Sequence, residues 1–148
     1  MSAADPHLQA ALDQARKSLS EGGIPIGSVL VHEGKIIGRG HNCRVQTGSA
    51  IDHGEINCLR NAGRLPAQVY QRCTIYSTLS PCPMCSGAIV LYKIPRVVVG
   101  ENRTFLGAED YLRANGVQVE VRQDAECIQL MTDFIRDRPE LWNEDIGV

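Results

Sequence analysis

The chain has 148 residues, 43% of them hydrophobic and 22% charged, with a formal net charge of −2 at pH 7. Those values describe one globular domain with a true core and exclude a disordered or low-complexity chain. No basic run offers a footprint for nucleic acid, no apolar stretch approaches the ~20 residues of a membrane span, and no charged-then-apolar leader opens the sequence, so the expectation is one cytoplasmic domain over residues 1–148 acting on a small molecule.

In chain order, Asp5-Pro6 reads as a helix start, because Asp caps and Pro suits a first turn. Leu8, Ala11, Leu12, Ala15 and Leu19 then recur at helical spacing up to the stop at Gly22-Gly23. Gly27 to His32 and Ile36 to Gly40 predict two strands joined by a turn at Glu33-Gly34. A helix follows from about His53 to Asn61, ended by Gly63, and Thr74 to Ser77 is a short strand. Pro83 opens a helix reaching Tyr92, and Arg96 to Gly100 is a valine-rich strand. Glu109 to Asn115 predicts a helix, Val117 to Val121 a strand, and Cys127, Leu130, Met131, Phe134 and Ile135 one apolar face of a late helix, with Arg138 to Val148 as a separate tail. A hairpin followed by strand–helix alternation predicts a three-layer α/β/α sandwich around a mixed sheet of about five strands.

Six cysteines, at 43, 58, 73, 82, 85 and 127, need an account. In a reducing compartment a close pair points to metal or redox chemistry, while scattered thiols are small buried hydrophobes, the reading given to Cys43, Cys58, Cys73 and Cys127. Cys82 and Cys85 are three apart at a helix start, so their sulfurs share a face and the local positive potential favours the thiolates. His53 supplies a nitrogen ligand, and three protein ligands leave a tetrahedral zinc one open position, the pattern of a catalytic site. Glu55, two residues on from His53, points elsewhere on the helix and is free to act as proton shuttle rather than ligand. Each piece alone has a plainer explanation: Cys82-Pro-Met-Cys85 also suits a thiol oxidoreductase, and a lone His or Glu is commonplace. The conjunction His-x-Glu with Pro-Cys-x-x-Cys is the signature of zinc-dependent deaminases of nucleobases and nucleosides. His7, His32 and His41 are left as surface or core histidines, and Tyr70, Tyr76, Tyr92 and Tyr111 as core or edge residues.

The residues further resemble the fungal-type cytosine deaminases within the cytidine deaminase-like superfamily. The likeness runs through Gly23-Ile24-Pro25-Ile26-Gly27, Gly38-Arg39-Gly40-His41-Asn42, His53-Gly54-Glu55-Ile56, Thr78-Leu79-Ser80-Pro81-Cys82, Gly87-Ala88-Ile89, Ile94-Pro95-Arg96 and Val99-Gly100-Glu101-Asn102, and into the tail at Arg138-Pro139, Trp142 and Glu144-Asp145-Ile146-Gly147. The Pro-Cys-x-Met-Cys-x-Gly-Ala-Ile string is shared with tRNA adenosine deaminases and guanine deaminases; the Glu-Asp-Ile-Gly tail is more particular. The resemblance implies a homodimer with one Zn2+ per subunit. It implies that Asn42 and the Gly54 amide bond the base carbonyl, that Leu79 and Ser80 present backbone or hydroxyl groups to the amine, that Phe105 stacks on the ring and that Ile26 lines the floor. It also implies that residues 138–148 form a lid in which Trp142 and Asp145 close the pocket, Asp145 meeting a ring N–H. At Asn143 the family usually carries a phenylalanine, and a polar residue there either loosens the lid or is a surface change.

The expected function is hydrolytic removal of ammonia from a free nucleobase, with cytosine to uracil in pyrimidine salvage as the leading case and guanine or isocytosine as other free bases. A tRNA adenosine deaminase shares the metal site but calls for a basic rim, and a non-catalytic zinc or redox module has no use for Glu55, Asn42 or Phe105.

Overall fold

The computed structural model describes residues 5–148. Helix α1 (Pro6–Ser20) starts at Asp5, whose Oδ1 accepts from the N–H groups of His7 at 3.0 Å and Leu8 at 3.3 Å. It buries Leu8, Ala11, Leu12 and Ala15, each large side chain contributing about 1.5–3 kcal/mol. Strands β1 (Gly27–His32) and β2 (Lys35–His41) pair antiparallel across a turn in which Glu33 and Gly34 both have positive φ. Then come α2 (Arg44–Thr47), α3 (Gly54–Ala62), α4 (Ala67–Tyr70), β3 (Cys73–Ser77), α5 (Pro83–Leu91), β4 (Arg96–Val99), α6 (Glu109–Ala114), β5 (Gln118–Val121), α7 (Ala125–Asp137) and α8 (Pro139–Asp145). The short helices α2 and α4 fall where sequence patterning leaves loops.

The five strands form one mixed sheet in the order β2-β1-β3-β4-β5; β1 runs antiparallel to both β2 and β3, and β3, β4 and β5 run parallel. Side chains alternate across it, as the pleat requires. Val29, Val31, Tyr76 and Val98 pack under α1 and α7, while Leu30, Ile75, Val97 and Val99 pack under α3, α5 and α6. Helices cover both faces, giving the expected three layers. Helix α3 can sit close on β2 because Gly40 has no Cβ; one there would run into Asn57 and Cys58 of the helix.

The strand directions decide where loops gather. Gly27 of β1 stands opposite His41 of β2, and Ser28 opposite Ser77 of β3. The start of β1 and the ends of β2, β3 and β4 therefore share one edge of the sheet. Ile26, Asn42, the Leu79–Cys82 turn and the Glu101–Phe105 loop all emerge there, facing the N-termini of α3 and α5.

Candidate active site

Two helix N-termini bring the metal-binding side chains together. His53 is the N-cap of α3 and Cys82 the N-cap of α5, each with extended backbone. Cys82 Sγ accepts from the Cys85 N–H at 3.5 Å, doing for α5 what a carboxylate cap does elsewhere. His53 Nδ1 lies 3.5 Å from Cys82 Sγ and 3.7 Å from Cys85 Sγ. A tetrahedral zinc, with Zn–S about 2.3 Å and Zn–N about 2.0 Å, sets such N···S edges at about 3.5 Å. Among the described residues His53, Cys82 and Cys85 are the one cluster with metal-ligand spacing.

The electrostatics suit a cation. The hydrogen bond from Cys85 leads in holding the Cys82 thiol down at about 4, against burial and with help from His53, while the same pairing and burial push Cys85 far up. Burial works against charge on His53, but Cys82, Asp145 and Glu55 outweigh it and raise the imidazole to about 9. A pocket that stabilises a positive imidazole this strongly is one of negative potential, matched to a divalent ion.

Glu55, in the first turn of α3, is buried and not part of the ligand cluster. Burial, with the Cys82 charge, pushes its carboxyl up to about 7. The Ser77 hydroxyl lies 3.2 Å from Glu55 Oε2 and 2.8 Å from the Leu79 carbonyl oxygen, tying the carboxylate to the end of β3.

A cavity opens beside this cluster, lined by Ile26, His53, Glu55, Leu79, Ser80, Cys82, Phe105, Trp142, Asp145 and Ile146. The rings of Phe105 and Trp142 meet edge to face with centroids 5.6 Å apart, and α8 lays Trp142, Asp145 and Ile146 over the opening. Such a site, with three ligands for a metal, a buried carboxylate beside them and a small aromatic-walled chamber, can hydrolyse a bond on a planar ring.

The family model of the cytidine and deoxycytidylate deaminase zinc-binding region matches residues 1–101. The chain belongs to this family. It is 60% identical over 141 residues to the cytosine deaminase of Candida albicans, covering 95% of this chain and 94% of that one. It is 39% identical over 140 residues to a tRNA-specific adenosine deaminase of Streptococcus pyogenes, covering 87% of each. A solved structure from studies of A-to-I editing by tRNA:A34 deaminases matches with a TM-score of 0.73 at 27% identity, over 84% of this chain and 97% of that one. The chain is a zinc-dependent deaminase, and the His53, Cys82 and Cys85 cluster fits one Zn2+ site.

Six residues named from the sequence as substrate contacts (Ile26, Leu79, Ser80, Phe105, Trp142 and Asp145) line the deaminase cavity. Asn42 and Gly54 are not among the lining residues but are joined to them. Asn42 is fully buried; its Nδ2 donates to Asp145 Oδ1 at 2.9 Å and its Oδ1 accepts from the Arg44 N–H at 3.0 Å. Gly54 backs onto Ile26, whose carbonyl oxygen would sit 3.1 Å from a Cβ at Gly54. The Ser80 hydroxyl does not face the cavity as a free donor. It donates to Glu109 Oε2 at 2.7 Å and accepts from the Gly107 N–H at 2.9 Å, which leaves only the backbone of Ser80 for a substrate. Asn143 is exposed on the outer side of α8. Cys58, Cys73 and Cys127 are buried, as their scatter suggests, but Cys43 is half-exposed with its sulfur 3.4 Å from His41 Nδ1, so the reading of Cys43 as a buried hydrophobe is corrected.

Sequence reading passed over Ser77, Arg44, Glu109 and Ile146. Glu109 is buried, accepts from Ser80 and Asn102, and so ties the Cys82 turn to the loop that carries Phe105. Glu101, also buried, caps that loop by accepting from the N–H groups of Arg103 and Thr104. Gly107 closes the same junction, where a Cβ would collide with the Pro81 carbonyl oxygen. Only Ile146 carried a usable signal, its place in the Glu-Asp-Ile-Gly string.

Proposed function

We propose that the deaminase converts free cytosine and water to uracil and ammonia, as a step of pyrimidine salvage. The observation that carries this reading is the 60% identity to a cytosine deaminase across nearly the whole of both chains. The cavity lining supports it: Trp142, Asp145 and Ile146 of the C-terminal segment stand with Phe105 around the metal cluster, where a lid over one ring would exclude a ribose or an RNA strand. The 39% identity to a tRNA-specific adenosine deaminase keeps RNA-borne adenosine as the second reading, but the net charge of −2 offers no field to gather a polyanion.

His53, Cys82 and Cys85 would hold the zinc, which when bound supplies the acidity that brings the pKa of water to about 7. Glu55 takes one proton from the attacking water and delivers it to the ring nitrogen next to the amine-bearing carbon; it then takes the second proton from the hydroxyl now on that carbon and delivers it to the amine, which leaves as ammonia as the C–N bond breaks. Its burial and its Ser77 contact hold the carboxylate in place for each of these transfers. Phe105 stacks on one ring face, and Ile26 supports the edge nearest β1. An amide carries two hydrogens, so Asn42 keeps one for the base carbonyl after bonding Asp145, with the Gly54 N–H as its companion. The backbone carbonyls at Leu79 and Ser80 receive the amine, and Asp145 accepts the ring N–H. Residues 138–148 act as the lid.

The enzyme works in the cytoplasm as a homodimer. Six unpaired cysteines suit a reducing compartment. Leu91 and Tyr92 are exposed beside Ile56, Leu59 and Leu65 in a groove between α3 and α5, an apolar face of the sort a second copy covers. Sedimentation velocity at micromolar concentration is expected to give a dimer, and a monomer overturns this part. Ammonia release across cytosine, isocytosine, guanine, adenine and cytidine tests the substrate. Cytosine is expected to lead the panel; activity confined to another free base removes cytosine and leaves the reaction class.

A further inference from the structure

Helix α2 places a cation against the lid. The Arg44 side chain folds back so that Nε donates to the Ala50 carbonyl oxygen at 3.0 Å, while Nη1 lies 3.6 Å from Asp145 Oδ1. The Arg44 backbone N–H bonds Asn42 Oδ1 at 3.0 Å, and Asn42 Nδ2 donates to the same Asp145 Oδ1 at 2.9 Å. His53 Nε2 also faces Oδ1, at 3.6 Å. Three groups thus converge on one oxygen of a buried carboxylate. Among the described residues no hydrogen-bond partner meets Oδ2, and Asp145 lines the cavity.

This arrangement decides which oxygen a ligand sees. A carboxylate at the end of a short helix is otherwise free to rotate about its last torsion, which is broad and two-fold. The guanidinium is held at Nε by the Ala50 carbonyl, so it is a fixed charge rather than a swinging one. It stands beside Oδ1 on the α2 side, which leaves Oδ2 as the oxygen without a protein partner, and it links α2 to α8. Glu144 lies in the same outer cleft as Arg44, but it is exposed to solvent whereas Asp145 is buried, so the Asp145 charge is the less screened partner.

We propose that Arg44 is a positioning residue for substrate recognition, acting through Asp145. The inference deepens the reading of a free-base deaminase with a C-terminal lid, and it assigns Arg44 to binding rather than to chemistry. A fixed acceptor prepared before the ligand arrives lowers the cost of ordering it, so the effect falls on KM.

The test uses the full-length, zinc-loaded enzyme and its Arg44→Ala, Arg44→Gln and Arg44→Lys variants. Steady-state kinetics on cytosine are read together with zinc content and with amide hydrogen exchange over residues 142–148 of the free protein. Arg44→Ala and Arg44→Gln are expected to raise KM about tenfold, the size of one lost charged contact, with kcat not lowered and one zinc retained. Arg44→Lys keeps the charge but loses the Nε tie, so its KM is expected to fall between those of wild type and Arg44→Ala. Exchange over 142–148 is expected to rise in Arg44→Ala and Arg44→Gln. A KM within about twofold of wild type in both variants, with unchanged exchange, overturns the proposal, and so does a fall in kcat at constant KM. Wild-type enzyme inactive on cytosine sinks the substrate reading instead, and the exchange measurement then decides the role of Arg44 by itself.

Discussion

Glu55 shares its first helical turn with a metal-site residue and yet belongs to different chemistry. Its neighbour His53 points with Nδ1 at two sulfurs, whereas Glu55 is held by Ser77 at the end of β3. Glu55→Gln preserves shape and leaves the ligands intact but cannot carry a proton. The expected outcome is one zinc per chain with kcat lowered by about 10²–10⁴-fold. Turnover within about tenfold of wild type would remove Glu55 from its role. At this scale the sequence was legible where chemistry constrains spacing, as in His-x-Glu and Cys-x-x-Cys, because a metal accepts few donor types at few distances. It was not legible at Ser77, Arg44 or Glu109. Nothing in a serine at a strand end or a glutamate at a helix start says that the side chain will turn inward to hold a loop, and the partners lie far along the chain. Ser80 illustrates the cost of that blindness: a hydroxyl placed beside the site by its sequence position is already committed to Glu109 and Gly107.

Among the elements, the long ones declared themselves through period and caps, and the short ones did not. Helix α1 is marked by Asp5-Pro6 and an apolar stripe, whereas α2 and α4 are four residues each, too short for a stripe to repeat, and are fixed by what they pack against. The Asp5 cap carries a second contact, to Arg122 Nη1 at 2.7 Å. Burial opposes ionisation there, but Arg122 and the two backbone donors prevail and hold the carboxyl below its usual value. A depressed folded-state value means stabilisation that is full above the ordinary carboxylate range and is lost as pH falls through the depressed one. Asp5→Asn keeps a cap but loses the charge, so its melting temperature is expected below wild type at pH 7, with the gap closing in acid. A gap independent of pH contradicts the assignment. Helix α8 is the element proposed as the lid. Trp142 packs with Ile24, Ile26, Leu79, Met131 and Phe134, so the lid is also part of a core cluster. Ending the chain after Leu141 is expected to abolish turnover and lower the melting temperature by several degrees while the far-ultraviolet circular dichroism of the sheet and its helices persists. Full activity without α8 would exclude it as a lid.

For the whole molecule, the mixed sheet was foreseeable from a hairpin followed by strand–helix alternation, and the site follows from its directions. Because β1 runs against β3, the residue before β1 and the residues after β2, β3 and β4 meet at one edge, and the N-termini of α3 and α5 point their positive ends at that edge. What sequence patterning does not supply is the closure of the chamber, which depends on α7 and α8 folding back to set Trp142 against Phe105. The proposed lid would separate a free-base enzyme from one that must admit a sugar or a strand. A ring nitrogen that carries a ribose has no hydrogen for Asp145, and a site built to accept that hydrogen rejects the analogue lacking it by up to about 10⁴–10⁵. The ratio of kcat/KM for cytosine to that for cytidine is therefore the most direct test of a cytosine deaminase closed by its own C-terminal helix. A ratio of at least about 10³ is expected, tenfold below the lower end of that range to allow for imperfect pairing; comparable values for base and nucleoside would contradict a lid closed over the free base.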